Sequence, residues 1–283
     1  MTSPLRRACI MGHKIAYSRS PKIHGYWLRT LGVSGAYDVV DLAPPDFPSF
    51  FLSLCAKGYA GGNITKPHKE AAFELVSRRE KAAEAIGAVN TVWCEGTSLV
   101  GGNTDWSGIL LSLDHLYPGW DAKAGNAVVL GAGGAARAAS YAFCSRGLNV
   151  TVANRTRGRA QALADQFGGN VSAADWDVRD DLLAGCDILI NATSLGMSGE
   201  PPLSIRLDRL KPDAIVYDIV YVPLATELLK AARRRGHRTV DGLSMLLYQA
   251  VPGFARWFGV TPQVTPELRA LMEADIATAA PAP

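Results

Sequence analysis

One segment restricts the fold of this chain more than any other: an apolar run that leads straight into a glycine-rich turn and then a helical stretch. The run is Ala127–Leu130, the turn occupies 131–136, and helical periodicity continues through Arg137–Arg146. Glycines in such a turn let the backbone approach a pyrophosphate, which the free amides and the positive dipole end of the helix then bind. Ala136 replaces a third glycine, a substitution that the pattern permits. We therefore predict a dinucleotide site rather than a purely structural turn. Its predicted residues are Gly131, Ala132, Gly133, Gly134 and Ala135.

The end of the next strand predicts which dinucleotide binds. The segment Ala153–Arg157 lies about 20 residues beyond Gly131, where an NAD site usually has a carboxylate for the ribose hydroxyls. This segment instead contains Asn154, Arg155 and Thr156. A carboxylate would repel a 2′-phosphate, whereas an arginine can bind it through a bidentate contact. A solvated basic loop is the ordinary alternative. We predict NADP as the cofactor.

Strand-like and helix-like patterns alternate in two zones of the chain. The strand candidates are Ala8–Met11, Tyr37–Leu42, Tyr59–Ile64, Val89–Trp93 and Ser98–Gly101 in the first zone, and Ala127–Leu130, Asn149–Ala153, Asp187–Ile190, Ala214–Ile219 and Arg238–Val240 in the second. Strands separated by helices predict βαβ units and parallel sheets. The fold class is therefore α/β with two domains. We expect an α/β substrate-binding catalytic domain over 1–105, completed by 242–283, and a doubly wound Rossmann-type NADP-binding domain over 106–241.

Composition restricts the classes of partner that this chain is expected to bind. The chain has 283 residues, with 29 basic and 26 acidic ones, and this balance indicates neither a nucleic-acid nor a membrane partner. The five cysteines are widely spaced, without zinc-like spacing, so we predict free thiols in a reducing compartment and no metal site. No signal peptide or membrane-spanning stretch is recognised, and a cytoplasmic protein is expected.

Ser18 and Ser20 precede Pro21, which begins a helical pattern after the first strand. A proline at the first helical position with serine before it marks a helix N-terminus, so Ser20 could simply cap that helix. Both hydroxyls could equally donate to an anion at the helix end, and a small substrate carboxylate suits them. The residues alone leave these two interpretations open.

Two further polar segments have a similar layout. In Asn63–Lys69 a strand end and a turn lead to Pro67, and Lys69 falls in the first helical turn, where the helix dipole disfavours a cation. This placement favours a functional role for Lys69 over that of an ordinary solvated lysine. Asp105 follows a glycine-rich turn and begins a helix, so it either caps that helix or takes part in the chemistry.

Taken together, these segments resemble the shikimate dehydrogenase family, and the match covers nearly the whole chain in the family's order. The matching motifs are Ser18-x-Ser20-Pro21-x-x-His24, Asn63-x-Thr65-x-Pro67-x-Lys69, Gly87-Ala88-x-Asn90-Thr91, Gly102-Asn103-Thr104-Asp105-x-x-Gly108, Gly131-Ala132-Gly133-Gly134-Ala135, Asn154-Arg155-Thr156, Asn191-Ala192-Thr193-Ser194-x-Gly196-Met197, Tyr217-Asp218-x-x-Tyr221-x-Pro223 and Gly242-Leu243-x-Met245-Leu246-x-x-Gln249-Ala250.

The resemblance implies an enzyme that reduces 3-dehydroshikimate to shikimate with NADPH, and it implies Lys69 and Asp105 as the catalytic pair. The residues implied to bind substrate are Ser18 and Ser20, on its carboxylate, and Thr65, Asn90, Tyr221 and Gln249, on its ring oxygens. Those implied to bind the cofactor beyond the glycine turn are Asn154, Arg155 and Thr156, at the 2′-phosphate, and Thr193, Met197, Ile219, Gly242 and Met245, around the nicotinamide.

Three residues depart from the family's pattern. Lys14, Tyr17 and Ser244 stand where proline, histidine and glycine are usual, and only Ser244 lies near the implied nicotinamide pocket. The nearest alternative is a quinate or aminoshikimate dehydrogenase of the same family. A non-catalytic NADP-binding sensor is a more distant one, because such a protein should have lost the Lys69–Asp105 pair. Monomer and homodimer both remain open.

Overall fold

The computed structural model describes residues 5–278 and divides the chain into two compact units. The first unit contains the described residues up to Thr104 together with Gln249–Met272, and the second contains Asp105–Tyr248 and the described residues from Glu273 on. Each unit is built on its own six-stranded sheet. The domain limits predicted above stay a prediction.

The sheet of the first unit is mixed. Its strands are β1 (Arg6–Gly12), β2 (Gly35–Asp41), β3 (Tyr59–Ile64), β4 (Arg78–Arg79), β5 (Thr91–Glu95) and β6 (Ser98–Gly102), in the spatial order β2-β1-β3-β5-β6-β4. The strands β1, β2 and β3 are parallel, because helical crossovers join them. The pair β5 and β6 forms an antiparallel hairpin, and Gly96 adopts a positive φ of 62° in its turn.

Short helices connect these strands and bury the first unit's core. They are α1 (Ser20–Thr30), α2 (Phe47–Leu52), α3 (Lys69–Leu75) and α4 (Lys81–Ile86). One core cluster packs the α2 side chains of Phe47 and Phe51 against Met11 on β1 and Ile64 on β3. This packing fixes the carboxyl ends of β1 and β3, which lead into the two predicted substrate segments.

The sheet of the second unit is parallel throughout. Its strands are β7 (Asn126–Leu130), β8 (Asn149–Asn154), β9 (Val171–Asp175), β10 (Ile188–Asn191), β11 (Ile215–Asp218) and β12 (Arg238–Val240), in the order β12-β11-β10-β7-β8-β9. The order reverses between β7 and β10, and ligands of such sheets bind outside the carboxyl ends of the strands at this switch point. The predicted doubly wound α/β class is thereby confirmed.

Helices flank the second sheet, which explains why its inner strands are apolar on both faces. They are α5 (Asp105–Leu116), α6 (Gly134–Ser145), α7 (Arg157–Phe167) and α8 (Glu227–Arg234), followed along the chain by α9 (Gly242–Phe258) and α10 (Pro266–Thr278). None of the described helices combines the length and the apolarity needed to cross a bilayer.

The prediction that all five cysteines are free thiols is wrong. Cys55 and Cys94 form a disulfide, while Cys9, Cys144 and Cys186 are free. Cys55 lies just before β3, and β5, which carries Cys94, pairs with β3. The sheet register therefore brings together two cysteines that are 39 residues apart, a relation that spacing alone does not indicate.

Candidate functional site

The glycine turn lies at the switch point of the second sheet. Gly131 has a φ of +106°, a conformation that L side chains rarely adopt. A Cβ at this position would lie 2.9 Å from the Ala192 carbonyl oxygen and 3.0 Å from Thr193 Cγ2. The turn therefore packs directly on the chain that leaves β10. At Gly133 and Gly134 an added Cβ would meet nothing within 4 Å, so these two glycines leave space beside the start of α6.

The N-terminus of α6 is suited to an anion. Gly133 is the N-cap residue and makes no side-chain cap, and the first turn contains no acidic residue. The amides of that turn and the dipole of this 12-residue helix thus lack a compensating negative charge from the cap. Together with the space at Gly133 and Gly134, this arrangement fits the pyrophosphate of a dinucleotide.

The end of β8 presents one arginine that is not committed to an ion pair. Asn154 Nδ2 donates to the Thr156 carbonyl at 2.9 Å and shapes the turn before α7. Arg157 is paired with Asp175 at 2.6 Å. Arg155 is exposed and, within residues 5–278, has no such acidic partner. Arg155 is therefore the guanidinium of this turn that can bind a phosphate without first breaking an ion pair.

The predicted nicotinamide residues lie on three neighbouring stretches of the second unit. Thr193 and Met197 follow β10, Ile219 follows β11, and Gly242 begins α9. A Cβ on Gly242 would lie only 2.1 Å from the Ile219 carbonyl oxygen, so a glycine is required there. Met245, one turn further along α9, packs against the core of this unit.

The departure at Ser244 has a local structural role. Its amide and its Oγ both donate to Asp241 Oδ1, at 2.9 and 3.0 Å. Asp241 thus binds the start of α9, and the serine hydroxyl adds a contact that a glycine would lack.

In the first unit the structure decides whether Ser20 caps the helix that follows it. Ser20 is the first residue of α1, its N-cap position is occupied by Arg19, and no side chain caps the helix. The capping interpretation of Ser20 is therefore wrong. The Ser20 amide donates to Ser18 Oγ at 3.4 Å, so the two predicted carboxylate ligands are neighbours. Their role on an anion stays a prediction.

Lys69 is the first residue of α3, so the cation lies at the helix end that disfavours it. The helix begins after Pro67, because His68 is its N-cap residue. The His68 ring stacks on Phe47, with centroids 4.3 Å apart, and bonds to the Leu42 carbonyl at 2.9 Å. These contacts fix the turn from which Lys69 projects.

A chain of hydrogen bonds, buried at Asn90 and partly buried at Gln249, connects these two predicted substrate residues. Thr104 lies between them: its amide donates to Asn90 Oδ1 at 2.7 Å, and its Oγ1 donates to Gln249 Oε1 at 3.5 Å. Behind Asn90, the Thr91 hydroxyl donates to Asn90 Oδ1 at 3.0 Å and accepts from Asn63 Nδ2 at 3.3 Å.

Tyr37 extends this chain by donating to Asn63 Oδ1 at 2.6 Å. Sequence reasoning missed the supporting roles of Tyr37, Thr91 and Thr104, because each lies on a different element. His24 stacks on Tyr37 with centroids 4.0 Å apart, and burial lowers the pKa of His24 to about 3. The ring is therefore neutral, and it packs between aromatic side chains.

Asp105 and Tyr221 belong to the second unit. Asp105 begins α5 and is largely buried, and Tyr221 lies half-buried in the loop after β11. Their pairing with residues of the first unit stays a prediction. In the part of the chain that the structure describes, no group of three or more His, Cys, Asp or Glu side chains is placed to bind a metal ion.

Comparison with known proteins gives a consistent result. A family model described as the shikimate dehydrogenase substrate binding domain matches residues 10–92, and one described as shikimate / quinate 5-dehydrogenase matches residues 117–198. The shikimate dehydrogenase (NADP(+)) of Methylocella silvestris is 53% identical over 276 residues, which cover 98% of this chain and 99% of that protein.

Two solved structures share the fold at 33% sequence identity. The shikimate 5-dehydrogenase from Thermus thermophilus, in complex with NADP(H) and shikimate, has a TM-score of 0.85 and covers 96% of this chain and 100% of its own. The quinate dehydrogenase from Corynebacterium glutamicum, in complex with NAD, has a TM-score of 0.88 and covers 95% of this chain and 99% of its own. The resemblance predicted from the motifs is thereby confirmed, and this chain belongs to the shikimate dehydrogenase family.

Proposed function

We propose that this protein catalyses the NADP-dependent, reversible reduction of 3-dehydroshikimate to shikimate, a step of chorismate and aromatic amino-acid biosynthesis. The observation that carries the cofactor assignment is the exposed, uncommitted guanidinium of Arg155 beside the glycine turn, at the strand end where an NAD site has a carboxylate. The substrate assignment rests on family membership, with curated relatives that are about half identical over nearly the full chain.

The cofactor residues act by position and charge. The amides of the α6 N-terminus bind the pyrophosphate, and Arg155 binds the 2′-phosphate with Asn154 and Thr156 beside it. Thr193, Met197, Ile219, Gly242 and Met245 surround the nicotinamide. NADPH, when bound, supplies the hydride.

Lys69 and Asp105 act on the substrate oxygen. As hydride reaches the ring carbonyl carbon, negative charge grows on its oxygen, and the Lys69 ammonium stabilises that charge and supplies the proton. Asp105 orients the ammonium and hydrogen-bonds the same part of the substrate. Ser18 and Ser20 bind the carboxylate, while Thr65, Asn90, Tyr221 and Gln249 bind the ring oxygens. Thr91 and Thr104 support Asn90 from behind, because both donate to its Oδ1.

The structural likeness does not separate shikimate from quinate, because dehydrogenases of both kinds match this chain at equal identity. Initial rates with shikimate and quinate, each with NADP and NAD, separate them. The proposal requires the largest kcat/KM for shikimate with NADP. A larger kcat/KM for quinate, or with NAD, would replace it with the alternative. We further propose that the protein works in the cytoplasm as a monomer or homodimer, independently of nucleic acid and membranes, although the Cys55–Cys94 disulfide is of a kind that is rare in that reducing compartment.

A further inference from the structure

Three polar side chains form a fully buried cluster at the carboxyl edge of the second sheet. Asn191 is the last residue of β10, Asp218 is the last residue of β11, and Thr226 is the N-cap residue of α8. Asn191 and Asp218 are 0% exposed and Thr226 is 1% exposed. We refer to these three residues as the Asp218 cluster. None of them is among the residues assigned above to substrate or cofactor.

Asp218 is the acceptor at the centre of the cluster. Its Oδ1 accepts from Asn191 Nδ2 at 2.9 Å and from the Val220 amide at 3.0 Å, and its Oδ2 accepts from Thr226 Oγ1 at 2.7 Å. Within residues 5–278 no cation forms an ion pair with it. A buried carboxylate without a counter-ion is costly to a fold, and such groups concentrate at functional sites.

One arm of the cluster fixes the loop after β10. Asn191 Oδ1 accepts from the amide and the hydroxyl of Thr193, at 3.1 and 2.6 Å, while Asn191 Nδ2 also donates to the Leu195 carbonyl at 3.0 Å. Because the Thr193 hydroxyl is bonded to Asn191, the rotamer of Thr193 is set. Its methyl group lies on the side of Gly131, whose hypothetical Cβ would be 3.0 Å from Thr193 Cγ2.

The other arm fixes the loop after β11. The bond from the Val220 amide to Asp218 holds the turn in which the Ile219 carbonyl packs on Gly242. The Ser198 amide donates to the Val222 carbonyl at 2.8 Å, which joins this loop to the one after β10. One carboxylate thus connects the two loops that contain Thr193 and Ile219.

We propose that Asp218 is a positioning residue for the reaction: by accepting from Asn191, Val220 and Thr226, it holds the loops after β10 and β11 in the conformation that receives the nicotinamide. This inference rests on the proposed function, because that function places the nicotinamide against these loops. Asp218 itself touches neither the cofactor nor the substrate and acts through Thr193 and Ile219.

The test separates the nicotinamide half of the cofactor from the adenosine half. We would titrate Asp218→Ala with NADPH and, separately, with adenosine 2′,5′-bisphosphate, which reaches only the adenosine end. NADPH affinity should fall about tenfold or more, because up to three charge-assisted bonds are lost, while the affinity for the bisphosphate should change by less than about twofold. The kcat should fall together with the NADPH affinity, and the KM for shikimate should stay within about twofold of the wild-type value.

A matched control lies at the opposite end of the same sheet. Asp187, just before β10, accepts from the Gly125 amide, the Asn126 amide and Lys211 Nζ, at 2.8, 2.9 and 2.6 Å. Asp187→Ala therefore removes a carboxylate that accepts three hydrogen bonds, as many as Asp218 accepts. It should lower the melting temperature and leave both affinities unchanged.

Thr226 supplies a second variant if Asp218→Ala does not fold. Thr226→Val removes the hydroxyl that donates to Asp218 and should lower NADPH affinity about threefold or more, while Thr226→Ser should restore it. Unchanged NADPH affinity, an equal loss for both ligands, or the same loss in Asp187→Ala would overturn the inference. A wild-type protein that binds NADPH but does not oxidise shikimate would instead refute the proposed function and leave the affinity comparison intact.

Discussion

At the scale of single residues, the roles of Arg155 and Asp218 depend on which charged groups already have an ionic partner. Arg155 and Arg157 stand two positions apart on the same turn, yet only Arg157 is paired with an acid, Asp175. Asp218 is the opposite case, a carboxylate that is surrounded by neutral donors. The function of a charged residue in these segments is therefore indicated by its bonding partner and not by the number of arginines or acids around it.

The two arginines form a matched pair for testing the cofactor assignment. Arg155→Ala should raise the KM for NADP by about 10- to 150-fold, because a charge-assisted phosphate contact is worth about 1.5–3 kcal/mol. Its KM for NAD should hardly change. Arg157→Ala should leave both values within about twofold, since this guanidinium is committed to Asp175. An unchanged NADP to NAD preference in Arg155→Ala would refute the assignment.

Asp218 also predicts a pH dependence of stability. Burial raises the pKa of Asp218 to about 6, although its three hydrogen bonds act to lower it. The folded protein therefore retains a proton that the unfolded chain has already lost, and the contribution of this group to the free energy of unfolding falls as the pH rises from about 4 to about 6. The fall is about 3 kcal/mol at most. A cavity next to Asp218 is also lined by the charged residues Glu200, Glu227 and Lys230.

Asp218→Asn removes this titration and retains the shape of the side chain. Urea unfolding of both proteins across this pH range should show the variant gaining stability relative to wild type as the pH rises. Glu227 and Lys230, which pair with each other at 2.8 Å, are common to both proteins, so their titration cancels in the difference. A difference that does not depend on pH would contradict the raised pKa of Asp218.

At the scale of elements, the turn between β7 and α6 is fixed by close packing rather than by side-chain bonds. Gly131 combines a positive φ with a neighbouring carbonyl, whereas Gly147, just after α6, has a φ of +81° and nothing within 4 Å of its hypothetical Cβ. The two glycines therefore separate backbone strain from steric contact.

Gly147→Ala should cost only the strain of a left-handed alanine, about 1–2 kcal/mol, with unchanged NADP affinity. Gly131→Ala should cost about 1–3 kcal/mol more, because the Ala192 carbonyl must move, and NADP affinity should fall at least about tenfold. Chemical denaturation and NADPH titration measure these two effects. Equal costs for the two variants would mean that the Gly131 turn is not tightly packed on the chain after β10.

At the scale of the whole molecule, the disulfide makes a countable prediction. In the denatured, unreduced protein three thiols per chain should react with a thiol reagent. After reduction five should react, because Cys55 and Cys94 form the disulfide. For a loop of this length the bond is worth about 4 kcal/mol on the chain-entropy model, so reduction should lower the melting temperature. Five thiols before reduction would show that the disulfide is absent.

Much of the fold is predictable because its strongest signals are local. Parallel strands that are covered on both faces read as short apolar runs, and so β7, β10 and β11 could be placed from the sequence. The strand β9 could not, because its residues Val171–Asp175 have no apolar run. The strand β4 has only two residues and is defined by its pairing with β6.

The residues of the candidate site also fall into those that a local sequence pattern predicts and those that it does not. The glycine turn and the Arg155 segment are contiguous in sequence and could be recognised by pattern. The Asp218 cluster and the hydrogen-bond chain through Thr104 could not, because their members are far apart in sequence and meet only through the sheet register. Ser20 shows the reverse error, since a sequence typical of a cap did not produce one.

The catalytic role of Lys69 is tested most directly by the rate of NADP reduction by shikimate in a Lys69→Met variant. Methionine keeps most of the lysine volume without its charge, and the charge matters most when the substrate oxygen becomes negative. Lys81 is the matched control, because it too is the first residue of a short helix in the same unit. Lys69→Met should lose about 10²–10⁴ in kcat with a much smaller change in shikimate binding, and Lys81→Met should match wild type. A Lys69→Met enzyme with near-normal kcat would contradict the role of the Lys69 charge in catalysis.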